Sequence, residues 1–224
     1  MRRTLLPFLS AVVLVAAIGA PAPRAAPPQA AGQADLDARV TRFLDQHSYG
    51  WRDMNVPEAD GRTLHDIVLK NRYTSALEIG TSTGHSGIWI AWALAKTGGR
   101  LTTIDIDQGR YREAVKNFQD VGLAPFIDAR LADAHDLVPK LAGPFDFVFI
   151  DADKEWYTNY AKAIIPKLRV GGCLTAHNVT ARGGRRSTGM TGDFYAYVTG
   201  LPFLETTMFT RGSGLSISYK RSER

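Results

Sequence analysis

From residue 35 onward the chain switches repeatedly between two hydrophobic periods, and that alternation leaves few folds open to it. Short apolar runs of the kind that fill buried strands fall at Ser75–Ile79, Leu101–Asp105, Ile127–Leu131, Phe145–Ile150 and Cys173–His177. Stretches of helical or partly helical spacing separate them, among them Ile88–Ala95, Tyr111–Asp120 and Tyr160–Leu168. Strands apolar along their whole length need cover on both faces, and strands joined through helices run parallel. The pattern therefore predicts an α/β fold of parallel βαβ units with helices on both faces of one sheet. Two helices precede it, marked by Leu36, Val40, Phe43 and Leu44 and then by Leu64, Ile67 and Val68. The ending differs: Phe203–Thr210 and Leu215–Tyr219 flank Arg-Gly-Ser-Gly, and Leu215, Ile217 and Tyr219 alternate with Ser216 and Ser218. That is the pattern of an antiparallel hairpin with one wet face, bringing the sheet to seven strands.

The N-terminus has a different character. Arg2 and Arg3 precede an apolar stretch from Leu5 to Ala20, and a Pro/Ala-rich stretch follows to Ala34. This is the tripartite pattern of a bacterial export signal, too short to span a bilayer comfortably, so the division is 1–34 as signal and linker and 35–224 as a single domain. Ala20-Pro21-Ala22 has the small-x-small form of a cleavage site but is followed by Pro23, which leaves an uncleaved membrane tether open. The paired arginines also faintly resemble a twin-arginine signal. An exported, periplasmic or membrane-tethered protein is the expectation, with a tail on a cytoplasmic enzyme as the alternative. The formal charge of +5 comes partly from this leader: without Arg2, Arg3 and Arg24, the 27 basic residues fall to 24 against 22 acidic ones. That balance gives no argument for nucleic acid. Cys173 is the single cysteine, which excludes an internal disulfide and a Cys-built zinc site.

In an open parallel sheet, ligands bind beyond the carboxyl ends of the strands. After the first strand the chain reads Glu78-Ile79-Gly80-Thr81-Ser82-Thr83-Gly84-His85-Ser86-Gly87. Gly80 and Gly84 permit a tight turn and close backbone approach, and Ser86 opens the next helix. The loop lacks the Lys-Ser/Thr ending that grips phosphate. Asp105, 25 residues after Gly80, can accept from two ribose hydroxyls, or be a solvated strand-end acid. Asp133 can accept from a purine amine or cap the following turn. Acids on ribose and base, with no anion grip, favour a nucleoside cofactor without phosphates. The fourth strand ends Ile150-Asp151-Ala152-Asp153-Lys154 with Tyr157 beyond, and the fifth ends Ala176-His177-Asn178. Asp151, His177 and Asn178 form an O,N,O set able to hold a divalent ion, with Lys154 beside it as a base of lowered pKa. The bland alternative is an Asp–Lys ion pair with a hydrogen-bonded His and Asn capping a turn. His47, His65, His135, Trp89 and Trp92 read as packing or surface residues.

Met54-Asn55-Val56, the Glu78–Ser86 loop, the acid in Ile104-Asp105-Ile106, Asp133-Ala134 and Phe149-Ile150-Asp151-Ala152-Asp153-Lys154 occur in an order and spacing that resembles the class I S-adenosylmethionine-dependent O-methyltransferases of the catechol and caffeoyl-CoA type. The resemblance covers about residues 54 to 178 and implies a Rossmann-like, seven-stranded, mostly parallel sheet with the C-terminal hairpin. It implies S-adenosyl-L-methionine held by Val56, Glu78, Gly80, Ser86, Asp105, Asp133 and Ala134, and a divalent metal held first by Asp151. It also implies Lys154 as catalytic base and homodimerisation, which is common in that family. His177 departs from the family's usual Asp-Asn after the fifth strand. Imidazole for carboxylate removes a negative charge and shifts preference from Mg²⁺ towards Mn²⁺, Fe²⁺ or Zn²⁺. The segment from Thr180 to Gly192 is rich in Gly and Arg. Its Arg182, Arg185 and Arg186 read as a solvated loop or as contacts to an anionic substrate. The expected activity is methyl transfer to a hydroxyl of a small catechol-like acceptor, with the metal at Asp151, His177 and Asn178 chelating both acceptor oxygens. The alternatives are an exported nucleoside-binding module without turnover and, disfavoured by the loop, a nicotinamide dehydrogenase.

Overall fold

The computed structural model describes residues 30–48, 50–51, 54–179 and 190–223. The leader, except for residues 30–34, and the arginines at 182, 185 and 186 lie outside the described residues. Two helices come first, α1 (Ala30–Gln46) and α2 (Glu58–Lys70), with α1 beginning inside the stretch read as linker. Strand and helix then alternate: β1 (Ser75–Ile79), α3 (His85–Thr97), β2 (Arg100–Asp105), α4 (Gln108–Val121), β3 (Ile127–Leu131), α5 (Ala134–Leu137), β4 (Phe145–Ile150), α6 (Tyr157–Ile164) and β5 (Leu168–Ala176). The chain ends with α7 (Met190–Thr199), β6 (Leu204–Phe209) and β7 (Leu215–Lys220). No helix among the described residues is long and apolar enough to cross a membrane.

The seven strands are ordered β3-β2-β1-β4-β5-β7-β6, with β1 to β5 parallel and β7 antiparallel to both its neighbours. Building starts at β1, moves outward to β3, and resumes on the other side of β1 with β4. Each direction of building places its crossover helices on one face. Side chains alternate along each strand accordingly: Ala76, Phe147, Phe149 and Cys173 enter the core under α1 to α4, whereas Leu77, Val148, Ile150 and Leu174 enter the core under α6 and α7. Two apolar layers thus clamp one sheet, and its middle is the reversal point where β1 and β4 diverge. The helices end where the sequence marks them. Gly98 and Gly122 close α3 and α4 in the left-handed conformation (φ 73° and 81°), and Asp107 caps α4 by accepting from the Arg110 N–H at 2.8 Å.

Four elements depart from the sequence reading. β5 begins at Leu168, five residues before the apolar run at Cys173, because Arg169, Val170 and Gly171 are exposed and leave no hydrophobic signature. α6 therefore stops at Ile164, followed by a short 3-10 turn over Ile165–Lys167. α7 had no periodic signal, yet its Phe194 and Val198 are fully buried against the sheet. The serines do not mark the hairpin's wet face, which lies on β6 at Glu205 and Thr207, both exposed. β7 lies between β5 and β6, so Ser218 pairs with Leu174 and Ser216 with Ala176, on the face that α7 helps to cover, and both serines are buried. Cover on that face removes the solvent that the alternating pattern suggested, and Ser218 meets the Thr206 hydroxyl instead.

Candidate active site

The tips of the central strands are stitched to one another by main-chain hydrogen bonds. Gly80 and Thr81 N–H both donate to the Ile104 carbonyl, Asp151 N–H to Ile79 (2.8 Å), Ala132 N–H to Asp105 (2.9 Å) and His177 N–H to Ile150 (3.0 Å). This brings Gly80, Asp105, Asp133, Ala134 and Asp151 to the wall of one cavity of about 250 Å³ at the sheet's reversal point. Gly80 carries the closest approach: its φ is +99°, and a Cβ there would stand 2.4 Å from the Asp151 carbonyl oxygen. Gly80→Ala is expected to cost about 2–4 kcal/mol, combining left-handed strain with overpacking, and to abolish ligand binding in the cavity. Thermal unfolding and calorimetry of the variant measure both.

Asp105 accepts from the Ser82 N–H (2.7 Å) and the Asp107 N–H (2.8 Å), one at each carboxylate oxygen. Each oxygen keeps a lone pair, so a strand-end acid with local partners still faces the cavity as an acceptor. Asp133 is both things its position suggested. It caps α5 through the His135 N–H at 2.8 Å, and it lines the cavity. Next to these acids sit Ile106, 69% exposed, and Met54, 65% exposed. Two large apolar side chains left open at the rim suit a flat apolar ligand group.

Three of the expected cofactor residues lie elsewhere. Val56 is buried on the other side of the Gly80–Ser86 loop, where its carbonyl accepts from His85 Nδ1 at 2.9 Å. His85 Nε2 accepts in turn from the Trp89 indole at 3.0 Å, which fixes the tautomer. Burial holds that imidazole down at about 4, so it is neutral. Val56 lines a second cavity, about 200 Å³, among α1, α2 and α3, together with Trp51, Trp89 and Trp92. Glu78 and Ser86 lie beneath the loop and are buried. Burial is the largest influence on Glu78, and with Asp151 and Asp105 nearby it raises the carboxyl to about 8 despite hydrogen bonds from Ser86 and Thr103. Its Oε1 has no partner. A folded value above the unfolded one means that stability is fully present below about 4.5 and is lost as pH rises through about 8. Glu78→Gln, which cannot ionise, is therefore expected to match the parent protein at low pH and to gain on it steadily up to about 8. Melting temperatures across that range test this.

Beside the cavity runs a chain of charged groups. Lys154 Nζ donates to Asp151 Oδ1 at 2.6 Å and to the Tyr157 hydroxyl at 2.8 Å. Asp151 Oδ2 lies 3.0 Å from His177 Nδ1, and His177 Nε2 lies 3.0 Å from Asp60 Oδ2. Asp60, on α2, is fully buried and also accepts from the Ser213 N–H at 2.9 Å. Burial alone would lower the His177 pKa, but the hydrogen bonds to Asp151 and Asp60 outweigh it and lift it to about 9. Asp151 shows the mirror image: burial raises it, and His177 and Lys154 more than reverse this, keeping it below the ordinary carboxylate value. Asn178, the third expected metal ligand, is exposed on left-handed backbone (φ 54°), its carbonyl accepting from the Thr191 hydroxyl. Among the described residues no three His, Cys, Asp or Glu side chains are grouped so as to hold a metal ion.

Sequence reasoning did not find Asp60 or His135. Asp60 stands 117 residues before His177 in a helix read only for its apolar face, and only the tertiary fold joins them. His135, read as packing or surface, lines the cavity with its ring stacked on Trp156 at 3.8 Å. Its place directly after Asp133-Ala134 was the available signal.

Comparison with known proteins agrees with this arrangement. A catechol O-methyltransferase of Niastella koreensis is 37% identical over 138 residues, covering 60% of this chain and 62% of that protein. Caffeoyl-CoA O-methyltransferase 1 of Eucalyptus globulus is 32% identical, covering 59% and 56%. The match thus spans less than two thirds of these relatives' own length. Among solved structures, an O-methyltransferase from Bacillus cereus in complex with SAH superimposes with a TM-score of 0.70 at 26% identity, over 82% of this chain and 91% of that one. One from Streptomyces achromogenes, involved in tomaymycin synthesis and solved with SAM, gives 0.70 at 25% over 82% and 90%. The family model described as O-methyltransferase matches residues 31–187, and with strand order, strand-tip cavity and this match in agreement, the chain belongs to the O-methyltransferase family.

Proposed function

We propose that this protein transfers a methyl group from S-adenosylmethionine to a hydroxyl of a small catechol-like acceptor. The observation that carries this reading is the cavity at the reversal point. It offers carboxylates at Asp105 and Asp133, apolar surface at Ile106 and Met54, and Asp151 on its wall with Lys154 close by. Those residues fit an adenosyl group: Asp105 has a free lone pair on each oxygen for ribose hydroxyls, and Asp133 has one for an exocyclic amine. When bound, S-adenosylmethionine supplies a methyl group on a positively charged sulfur. The acid-lined cavity suits that positive charge, and the loop at Gly80 offers no lysine for a phosphate. The named activities of the relatives, on catechol and on caffeoyl-CoA, point to a hydroxylated aromatic acceptor.

Lys154 is the residue placed to handle the acceptor's proton. Its side chain is 28% exposed, and its amine is held by Asp151 and Tyr157. As a free amine it takes the hydroxyl proton onto Nζ; the resulting ammonium then stands beside the oxyanion, and Asp151 balances its charge. The expected metal set finds no such fit. Asp151 Oδ1 accepts from Lys154, and both His177 ring nitrogens face carboxylates, so the ring has no lone pair to give a metal.

Calorimetry with S-adenosylmethionine, S-adenosylhomocysteine and NAD tests the cofactor half. Binding of the first two and not the third is expected, with Asp105→Ala weakening it about 10–100-fold through lost charge-assisted hydrogen bonds. Methyl transfer to a panel of catechols tests the rest. Binding without turnover on any of them would instead make the chain a nucleoside-binding module, and binding of NAD alone would overturn the reading.

A further inference from the structure

The His177 ring cannot serve as a ligand in the arrangement it occupies. A metal held by imidazole takes the in-plane lone pair of one ring nitrogen, at about 2.0–2.1 Å for zinc. Both in-plane positions of His177 face carboxylate oxygens, Asp151 on one edge and Asp60 on the other, each at 3.0 Å. An ionised carboxylate only accepts, so at each edge a ring N–H donates and no lone pair points into the crevice.

Neither carboxylate is loose. Asp60 is tied to the Ser213 N–H, and it packs so closely on Gly212 that a Cβ there would come within 1.9 Å of Oδ1. Asp151 is tied to Lys154 by its other oxygen. The ring itself is 5% exposed and packs beside Phe149. Asp60, His177, Asp151 and Lys154 therefore form one chain of hydrogen bonds that links α2 to the tips of β4 and β5, with Asp60 Oδ1 left without a hydrogen-bond partner. A dication entering it would have to part the ring from one of these carboxylates before a ring lone pair became free, in addition to its own desolvation, which costs several kcal/mol per ion.

We infer that the His177 ring, clamped between Asp60 and Asp151, stands in this chain where a divalent cation would otherwise be needed, so that methyl transfer proceeds without a bound metal and extends to acceptors with a single phenolic hydroxyl. Asp60 and His177 are positioning residues: they fix Asp151, and through it the amine of Lys154. The widened acceptor range follows from the chemistry. A chelating ion selects two adjacent oxygens, whereas one ammonium needs only one. The catalytic half of this inference rests on the methyltransferase reading above; the metal half rests on the geometry of the ring alone.

The test is titration of the full chain with Mn²⁺, following the electron paramagnetic resonance signal of the free aqua ion. The parent protein is expected to leave that signal undiminished and to keep full turnover on a monophenol in EDTA. His177→Asp, which removes the ring and sets a third carboxylate beside Asp60 and Asp151, is expected to take up one equivalent and to melt at a higher temperature with Mn²⁺ than without. One equivalent bound by the parent protein and lost in Asp151→Asn overturns the metal half, and loss of monophenol turnover in EDTA overturns the catalytic half. Should His177→Asp fail to fold, nitrogen-15 spectra of histidine-labelled parent protein decide. Two ring N–H signals from His177 support the inference, and an unprotonated ring nitrogen that responds to added Zn²⁺ refutes it. Neither metal readout involves S-adenosylmethionine, so failure of the methyltransferase reading is seen separately in the calorimetry.

Discussion

Lys154→Met is expected to lower kcat by about 10²–10⁴, the range that a positioned acid–base group contributes, while S-adenosylhomocysteine binds as before. The side chain keeps its unbranched apolar stem, one atom shorter, and loses the one nitrogen that meets both Asp151 and Tyr157. None of the groups that fit the adenosyl half depends on it, because Asp105 and Asp133 hold their own backbone partners. Separation of the two effects is therefore the diagnostic. A variant that loses cofactor affinity in step with rate would show that the Lys154–Asp151 pair shapes the cavity instead of serving the acceptor. Steady-state kinetics beside calorimetry on the same preparation distinguishes these outcomes. Asp151→Ala is expected to follow Lys154→Met in rate, since it removes the counter-charge that holds both the amine and the His177 ring.

The second large effect is on stability. Asp60→Ala is expected to cost about 3–5 kcal/mol, the usual penalty for removing one partner of a buried ion pair. For a domain of this size that corresponds to a fall of roughly 6–20 °C in melting temperature. Three things are lost together: the Nε2 partner of His177, the acceptor for the Ser213 N–H, and the packing against Gly212. Asp60→Asn separates them. The amide can still accept from Ser213 and fills the same space, but it carries no charge for the ring, so its cost is expected to be smaller than that of Asp60→Ala and still measurable. Equal melting temperatures for Asp60→Asn and the parent protein would mean that the ring needs only one carboxylate.

How much of this could be read from the residues varies element by element. β1, β3 and β4 match their predicted ranges residue for residue; β1 and β4 lie in the covered middle of the sheet, whereas β3 is an edge strand in which Asp128 and Arg130 alternate with Ile127, Ala129 and Leu131. β5 does not match its predicted range, because its register is interrupted: Leu168 pairs with Phe145, pairing resumes only at Cys173 with Phe147, and Arg169 and Val170 between them are exposed. The serines of β7 misled because alternation reports polarity and not exposure: Ser216 and Ser218 share the face of Leu174 and Ala176, in the core that α7 helps to cover. At the site, Gly80, Asp105, Asp133 and Asp151 could be picked out because each ends or closely follows a strand, and Ala134 only through the family resemblance of Asp133-Ala134. Strand ends in a parallel sheet converge by topology alone.

His177 shows the boundary. Local sequence establishes that an imidazole follows β5 and that carboxylates follow β2, β3 and β4, since connectivity and hydrophobic period determine which residues reach the carboxyl edge of the sheet. It does not establish what the imidazole does there. That depends on Asp60, carried in from a helix folded over the strand ends, and on Gly212, which lets that helix's carboxylate sit against the hairpin loop. Period and chain order are properties of neighbours along the chain, so they are written in the sequence. The charge state of a buried ring is set by whatever surrounds it in space, and only packing of distant segments supplies that.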